Sequence, residues 1–482
     1  MTAPRAVLFC LFAAASVLRL HNAWVTPPLA GFDGPYHAAY IGIIHLEHRW
    51  PLSQESWSTF HPPLYYALSA LIWSLLPDRL GPHAVLFCLR LLNVAAGLAI
   101  GFAVQRSARR LYPQRPWVAV HASGLALFLP MLIGPSAELG NEMLTAALCA
   151  LAVPVWLGCL EEPDSRGRAL GLGALLGLAL LCKLNAAAVI AAVGSILIAR
   201  GLQTRGLRLA ALEVPALVGV TALLVSGVYF ARNLAYYGKP FLTEVALSAQ
   251  VMAPSGYGES REIWTYLRLT PDVLLDPTDR SPRVEGAVWP VTFASVWFDL
   301  HGSVIRVQSP WGMRFARILF GYGAVITALS LLGFAAMFTR RTEPAVPLGA
   351  AALLSLALFC LASYVAFTRQ VATFSTLKGT LLAPGVAAFA IAAGLGGDLL
   401  ARQSKVAALA LAALGASFVL AVGAIFWVGW LAPTGVTPAV FALQAYSDEP
   451  TRRVARYFIW GQPLETPERG PSGGRYPAPP PR

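Results

Sequence analysis

Asp33 and His37 stand four residues apart in GFDGPYHAAY, where Pro35 suits the first position of a helix. One helical face then presents both side chains. Gly31 and Gly34 hold the acid in a tight turn between aromatics, and a carboxylate so placed can take a proton from an attacking hydroxyl. Further along, Lys183, Arg232 and Lys378 each sit at the end of a different apolar run. Three cations from separate elements can converge on one phosphate and replace its lost water with charge-assisted hydrogen bonds. For any single one, a side chain snorkelling to an interface accounts for the residue equally well. Glu142, in GNEML, stands where an apolar run begins, and capping of its own helix start explains it adequately.

The chain that must position these groups has 482 residues, 56% hydrophobic and 12% charged, with a mean hydropathy of +0.60. That composition specifies an all-α polytopic membrane protein. The net charge of +12 is explained by basic residues at cytoplasmic helix ends, and nucleic-acid binding is rejected. All six cysteines fall within or beside apolar runs, where thiols behave as small hydrophobes rather than as a disulfide framework.

Taking about twenty apolar residues per crossing, the sequence predicts eleven spans, near 4–20, 84–105, 117–134, 142–160, 169–182, 184–199, 209–230, 314–338, 346–367, 380–400 and 406–431. The first of these reads as an uncleaved span rather than a signal peptide. Sidedness turns on the apolar run 64–76. If it crosses, Arg106, Arg109, Arg110 and Arg115 lie outside. If it does not, they fall inside with Arg166, Arg168, Arg200, Arg205, Arg208, Arg340, Arg341, Arg402 and Lys405. The run 62–76 is therefore expected to lie in the outer interface.

The amino terminus is then cytoplasmic. Residues 1–431 form the membrane domain, with a first exoplasmic loop at 21–83 and a long one at 231–312. Residues 432–482 form a short exoplasmic tail, with a helix expected around 452–460 and a disordered Pro- and Gly-rich end. In the long loop, AVWPVTFASVWFDLHG is amphipathic and aromatic, suited to lying on the membrane near a site. The polar residues at outer helix ends are Asp33, His37, His61, Glu138, Asn141, Glu142, Lys183, Arg232, Asn233, Arg369 and Lys378. Trp57, Tyr65, Tyr66, Trp297 and Phe298 can stack on sugar or line a lipid groove, although an interfacial aromatic belt serves as well.

The order of these residues resembles the GT-C superfamily of membrane glycosyltransferases: Asp33 with His37, His61-Pro-Pro-Leu-Tyr-Tyr, Asn141-Glu142, Lys183, Arg232-Asn233 before Tyr237-Gly-Lys-Pro, and Lys378-Gly-Thr-Leu-Leu-Ala-Pro. The likeness is nearest to the branch of protein O-mannosyltransferases and lipid A aminoarabinose transferases, and it runs from about residue 30 to 390. It implies a GT-C fold of about eleven transmembrane helices, with two interfacial helices and the catalytic acid in the first exoplasmic loop. It also implies a polyprenyl-monophosphate sugar donor, inverting displacement, and Asp33 as general base. His61, Lys183, Arg232 and Lys378 would hold the donor phosphate, and His37, Asn141, Glu142, Tyr65 and Tyr66 would meet sugar or acceptor.

Two departures stand out. Lys378 differs from the usual motif, which carries Arg two places later, where this chain has Thr380. Many relatives have two adjacent acids in the first loop, and here Gly34 takes the second place, so a second carboxylate must come from Glu142 or Glu138. No metal ligand is assigned, and a divalent metal stays open as a cofactor. Protein, lipid and polysaccharide acceptors stay open too. Composition points to a bacterial inner membrane. The rival readings are a transporter or flippase of a lipid-linked sugar, and a transferase using a diphosphate-linked donor.

Overall fold

The computed structural model describes residues 3–31, 33–243, 260–301, 310–339, 342, 344–428 and 448–464, and regular structure among them is helical, with no strand. The helices are α1 (Ala3–Val25), α2 (Gly34–Glu47), α3 (Leu64–Leu75), α4 (Pro82–Leu111), α5 (Pro116–Phe128), α6 (Pro130–Ile133), α7 (Glu142–Glu161), α8 (Arg166–Leu180), α9 (Ala187–Arg205) and α10 (Glu213–Tyr237). After the long loop's short helices α11 (Asp272–Leu275) and α12 (Pro282–Glu285) come α13 (Val288–Trp297), α14 (Pro310–Ala336), α15 (Gly349–Gln370), α16 (Val386–Ala401), α17 (Lys405–Val428) and α18 (Glu449–Trp460).

Among the described residues nine helices are long and apolar enough to cross a bilayer, each matching an expected span. The expected span at 117–134 is a pair, α5 and the segment Pro130–Ala137 that begins with α6, bent by 62°. Pro130 explains the break: Leu129 before it is pushed to φ −65° and ψ 121°, out of the helical region. The eleventh, at 169–182, is α8, with 15 residues. The first loop carries two helices, α2 of 14 residues and α3 of 12.

The main core surrounds α16, which packs between α14 and α5, and α7. Close approach is made by small residues, as expected where lipid is as apolar as leucine. A Cβ at Gly394 would stand 2.6 Å from the Val118 carbonyl oxygen. α13 was expected on the membrane surface. It is instead sunk into this core, with Val288, Val291, Ala294 and Trp297 buried. The reason is volume: the Trp297 ring lies over Gly323 and against Phe389 and Phe418, filling a gap between three spans.

A second core lies outside the bundle. Tyr40, Ile41, Tyr65, Tyr66 and Trp73 of the first loop join Val85, Leu86 and Leu89 at the start of α4, with Val454, Ala455 and Phe458 of α18. The helix expected around 452–460 thus spans Glu449–Trp460 and packs on α2. Residues 429–447, which include the end of the expected span 406–431, and 465–482, with the Pro- and Gly-rich end expected to be disordered, lie outside the described residues.

Candidate active site

Asp33 is the residue before α2, and its carboxylate makes no capping bond to that helix. Its backbone turn depends on Gly31, at φ +122°, and on Gly34, where a Cβ would run into the Leu29 carbonyl oxygen. One turn into α2, the His37 imidazole shares a hydrogen bond of 2.8 Å between Nδ1 and the Tyr66 hydroxyl. Its ring stacks on His61 at 6.0 Å. Burial lowers the His37 pKa, opposed by the Glu142 and Asp33 carboxylates, and lowers that of His61 further, with Lys183 adding to the effect. Both histidines are therefore neutral at pH 7.

The second wall is the turn 138–141. Asn93 Nδ2 donates to the carbonyls of Glu138 and Gly140, each at 3.0 Å. The Gly140 N–H donates to the Tyr65 hydroxyl at 3.1 Å, and Asn141 Nδ2 to the Cys182 carbonyl at 2.8 Å. The turn so held aims two carboxylates inward. Lys183, at the break between α8 and α9, donates from Nζ to Glu142 Oε1 at 2.7 Å. Burial, with Asp299 and Glu142 nearby, pushes the Glu138 carboxyl up to about 8.

The third wall comes from the long loop and the segment before α16. Ser295 Oγ accepts from the Gly379 N–H at 2.9 Å, and a Cβ at Gly379 would come within 2.9 Å of the Val296 Cα. That close approach sets Lys378 over Asp33, with Nζ 3.9 Å from Oδ2. His301 Nε2 lies 3.2 Å from the Leu377 carbonyl oxygen. Burial drops the His301 pKa to about 4, so this ring too is neutral at pH 7.

Two cavities meet here. The larger, about 450 Å³, is lined by His61, Lys183 and Lys378 with Trp57, Phe60, Leu242, Phe367 and Leu381. The smaller, about 80 Å³, is lined by Glu138, Ser295, Asp299, His301 and His37. Asp33, Glu142 and Lys378 line both.

Of the residues singled out in the sequence, Asp33, His37, His61, Glu138, Glu142, Lys183 and Lys378 come together around these cavities. Tyr65, Tyr66 and Asn141 are fully buried behind them and hold the walls. Arg232 lines neither cavity: Nη2 donates to the Pro51 carbonyl at 2.7 Å. Asn233 donates to the Pro240 carbonyl at 3.2 Å, and the Arg369 carbonyl accepts from the Arg261 N–H at 2.8 Å. Asp299 and His301 were not picked out, although an acid and a histidine two residues apart after an aromatic helix were there to be read. Among the described residues no three His, Cys, Asp or Glu side chains are placed to hold a metal ion.

Residues 60–230 match the family model described as dolichyl-phosphate-mannose-protein mannosyltransferase. No curated protein matches the chain in sequence. The oligosaccharyltransferase of Archaeoglobus fulgidus, tethered to an acceptor peptide with the NVT sequon, superposes over 98% of this chain at 14% identity and a TM-score of 0.54. The same enzyme in complex with Zn and sulfate superposes over 97% at 13% identity, again at 0.54. ArnT from Cupriavidus metallidurans bound to undecaprenyl phosphate covers 82% of this chain and 78% of its own, at 19% identity and 0.40. The chain spans about 60% of the length of the archaeal oligosaccharyltransferase.

Proposed function

We propose that this chain, a membrane protein of the GT-C glycosyltransferase superfamily, moves a sugar from a polyprenyl-monophosphate carrier to an acceptor hydroxyl, with inversion at the sugar carbon. The observation that carries the reading is the shared wall. Asp33, Glu142 and Lys378 face both a large cavity with cations and apolar groups and a small one rich in carboxyl groups. The larger suits a lipid-linked phosphate, with His61, Lys183 and Lys378 as its contacts. The smaller suits an acceptor hydroxyl. The matched family's description names a dolichyl-phosphate-linked sugar, which favours a monophosphate donor over a diphosphate.

In this reading Asp33 takes the acceptor's hydroxyl proton. The acceptor oxygen then bonds to the anomeric carbon as the bond from that carbon to the phosphate oxygen breaks, and the polyprenyl phosphate leaves with the electron pair. Lys183 and Lys378 hold the charge that develops on the leaving phosphate, and a nearby carboxylate favours an oxocarbenium-like transition state. Glu142 keeps Lys183 aimed at the wall. The site faces the exoplasmic side if the basic loops are cytoplasmic.

The test is transfer of radiolabelled sugar from a panel of synthetic polyprenyl-monophosphate sugars, comparing wild type with Asp33→Asn. Turnover in the variant is expected to fall about 10²- to 10⁴-fold with donor binding retained. Equal turnover would remove Asp33 as the base. Donor binding without turnover in either protein would point to transport of a lipid-linked sugar.

A further inference from the structure

The helix that carries Asp33 and His37 is gripped from two sides. On one, Tyr40 stacks on Tyr66 of α3 at 3.9 Å. On the other lies α18, capped at its start by Asp448, whose Oδ1 accepts from the Thr451 N–H at 2.8 Å, and ended by Gly461 at φ +65°. Its buried residues Thr451, Val454, Ala455 and Phe458 follow i, i+3, i+4, i+7 spacing, a single buried stripe.

The stripe meets α2 at a fitted seat. A Cβ at Gly42 would come within 2.6 Å of Val454 Cγ1. At the far end of α2, Arg453 Nη2 bonds Glu47 Oε1 at 2.5 Å. The buried hydroxyls of Ser56 and Thr451 share a hydrogen bond of 3.0 Å, which extends the grip to the segment leading to His61. None of these contacts touches either cavity.

We propose that α18 is a positioning clamp that, through its seat on Gly42 and Glu47, sets where Asp33 and His37 stand in the site. The lever is geometric. Gly42 is nine residues from Asp33, roughly 13 Å at helical rise, so a tilt of about 5° at the seat moves the acid by about 1 Å. A misplacement of that order reduces turnover by up to about 10²-fold without touching the reacting groups. The catalytic consequence rests on the transferase reading above, whereas the seat itself is read without it.

The experiment compares wild type, Gly42→Ala, and Gly42→Ala with Val454→Ala, in lipid nanodiscs. Amide hydrogen exchange over 34–47 is followed beside kcat and KM for a polyprenyl-monophosphate sugar. Alanine is a better helix former than glycine, so faster exchange in Gly42→Ala reports the seat and not the helix. We expect exchange about 10-fold faster and kcat down about 10- to 100-fold, with KM within about 2-fold. Val454→Ala makes room for the new methyl and brings both back.

Unchanged exchange, faster exchange at unchanged kcat, or failure of the second substitution to restore either would overturn the clamp. If Gly42→Ala does not fold, Val454→Ala alone, which empties the seat, must show the same faster exchange and lower kcat. If wild type transfers no sugar while exchange rises and is restored as described, the clamp stands and the transferase reading falls.

Discussion

Lys183 Nζ and Glu142 Oε1 are 2.7 Å apart in the wall of the larger cavity, with 15% and 21% of their side chains exposed. The pair is thus largely desolvated, and its two members are expected to respond in opposite ways. On the proposed reading of the larger cavity, Lys183→Met removes a charge-assisted donor to phosphate and should weaken binding of polyprenyl phosphate about 10- to 100-fold. Glu142→Gln frees the Lys183 ammonium from its carboxylate, so phosphate should bind at least as tightly, while turnover falls because Lys183 is no longer held in place. Binding of a fluorescent polyprenyl phosphate to each variant checks both.

Gly34 stands where the GT-C resemblance implies a second acid, and its surroundings leave no room for a side chain. A Cβ at this position collides with the Leu29 carbonyl oxygen, and Leu29 is itself at φ +57°. Gly34→Ala and Gly34→Asp should therefore destabilise the protein alike, by about 1–3 kcal/mol. Thermal unfolding in detergent measures this. A loss confined to the Asp variant would mean that charge, not backbone space, excludes the acid.

Glu138 gives a pH signature. Its carboxyl titrates in the folded protein at about 8, raised from 4.5 by burial and by Asp299 and Glu142. A group raised on folding contributes its stability fully below its unfolded pKa and loses it as pH rises through the folded value. Wild type should lose stability between about pH 4.5 and pH 8 relative to Glu138→Gln, in which this component is absent. Unfolding midpoints of the two proteins across that range decide it, and parallel curves would count against a protonated Glu138.

The smaller cavity predicts a division of labour. Asp299 and His301 line that cavity and not the larger one, so on the proposed reading Asp299→Asn and His301→Ala bear on the acceptor. They should raise KM for the acceptor about 10-fold and leave donor binding unchanged, as the loss of one or two hydrogen bonds would do. Steady-state kinetics with acceptor varied at saturating donor separates the two effects.

The order of groups around the site was legible because polar residues are costly in so apolar a chain, and each one at a helix end carries information. Asp33, His61, Lys183 and Lys378 were singled out that way and line the cavities; residues 60–230 match the mannosyltransferase family model, and the fold superposes on that of the archaeal oligosaccharyltransferase. Tyr65 and Tyr66 were harder to read. An aromatic at an interface and one bonded behind an active site look alike until the partner is known, here the Gly140 N–H and the His37 ring. Asp299 and His301 were hidden by the reading of α13 as a surface helix. Once Trp297 is drawn between three spans, the Asp-Leu-His that follows has to turn toward the cavity. The span count separated into nine full-length helices, a pair bent at a proline, and a helix of 15 residues, because hydropathy registers apolar length and not direction.

The second core joins the start of the chain to its end. Residues 38–41 are packed in part by Val454, Ala455 and Phe458, more than four hundred positions later. During synthesis one side of α2 therefore stays uncovered until those residues have been made. The acid end of the site thus depends on two stretches of chain that lie at opposite ends of the described sequence and must both be made before it is packed.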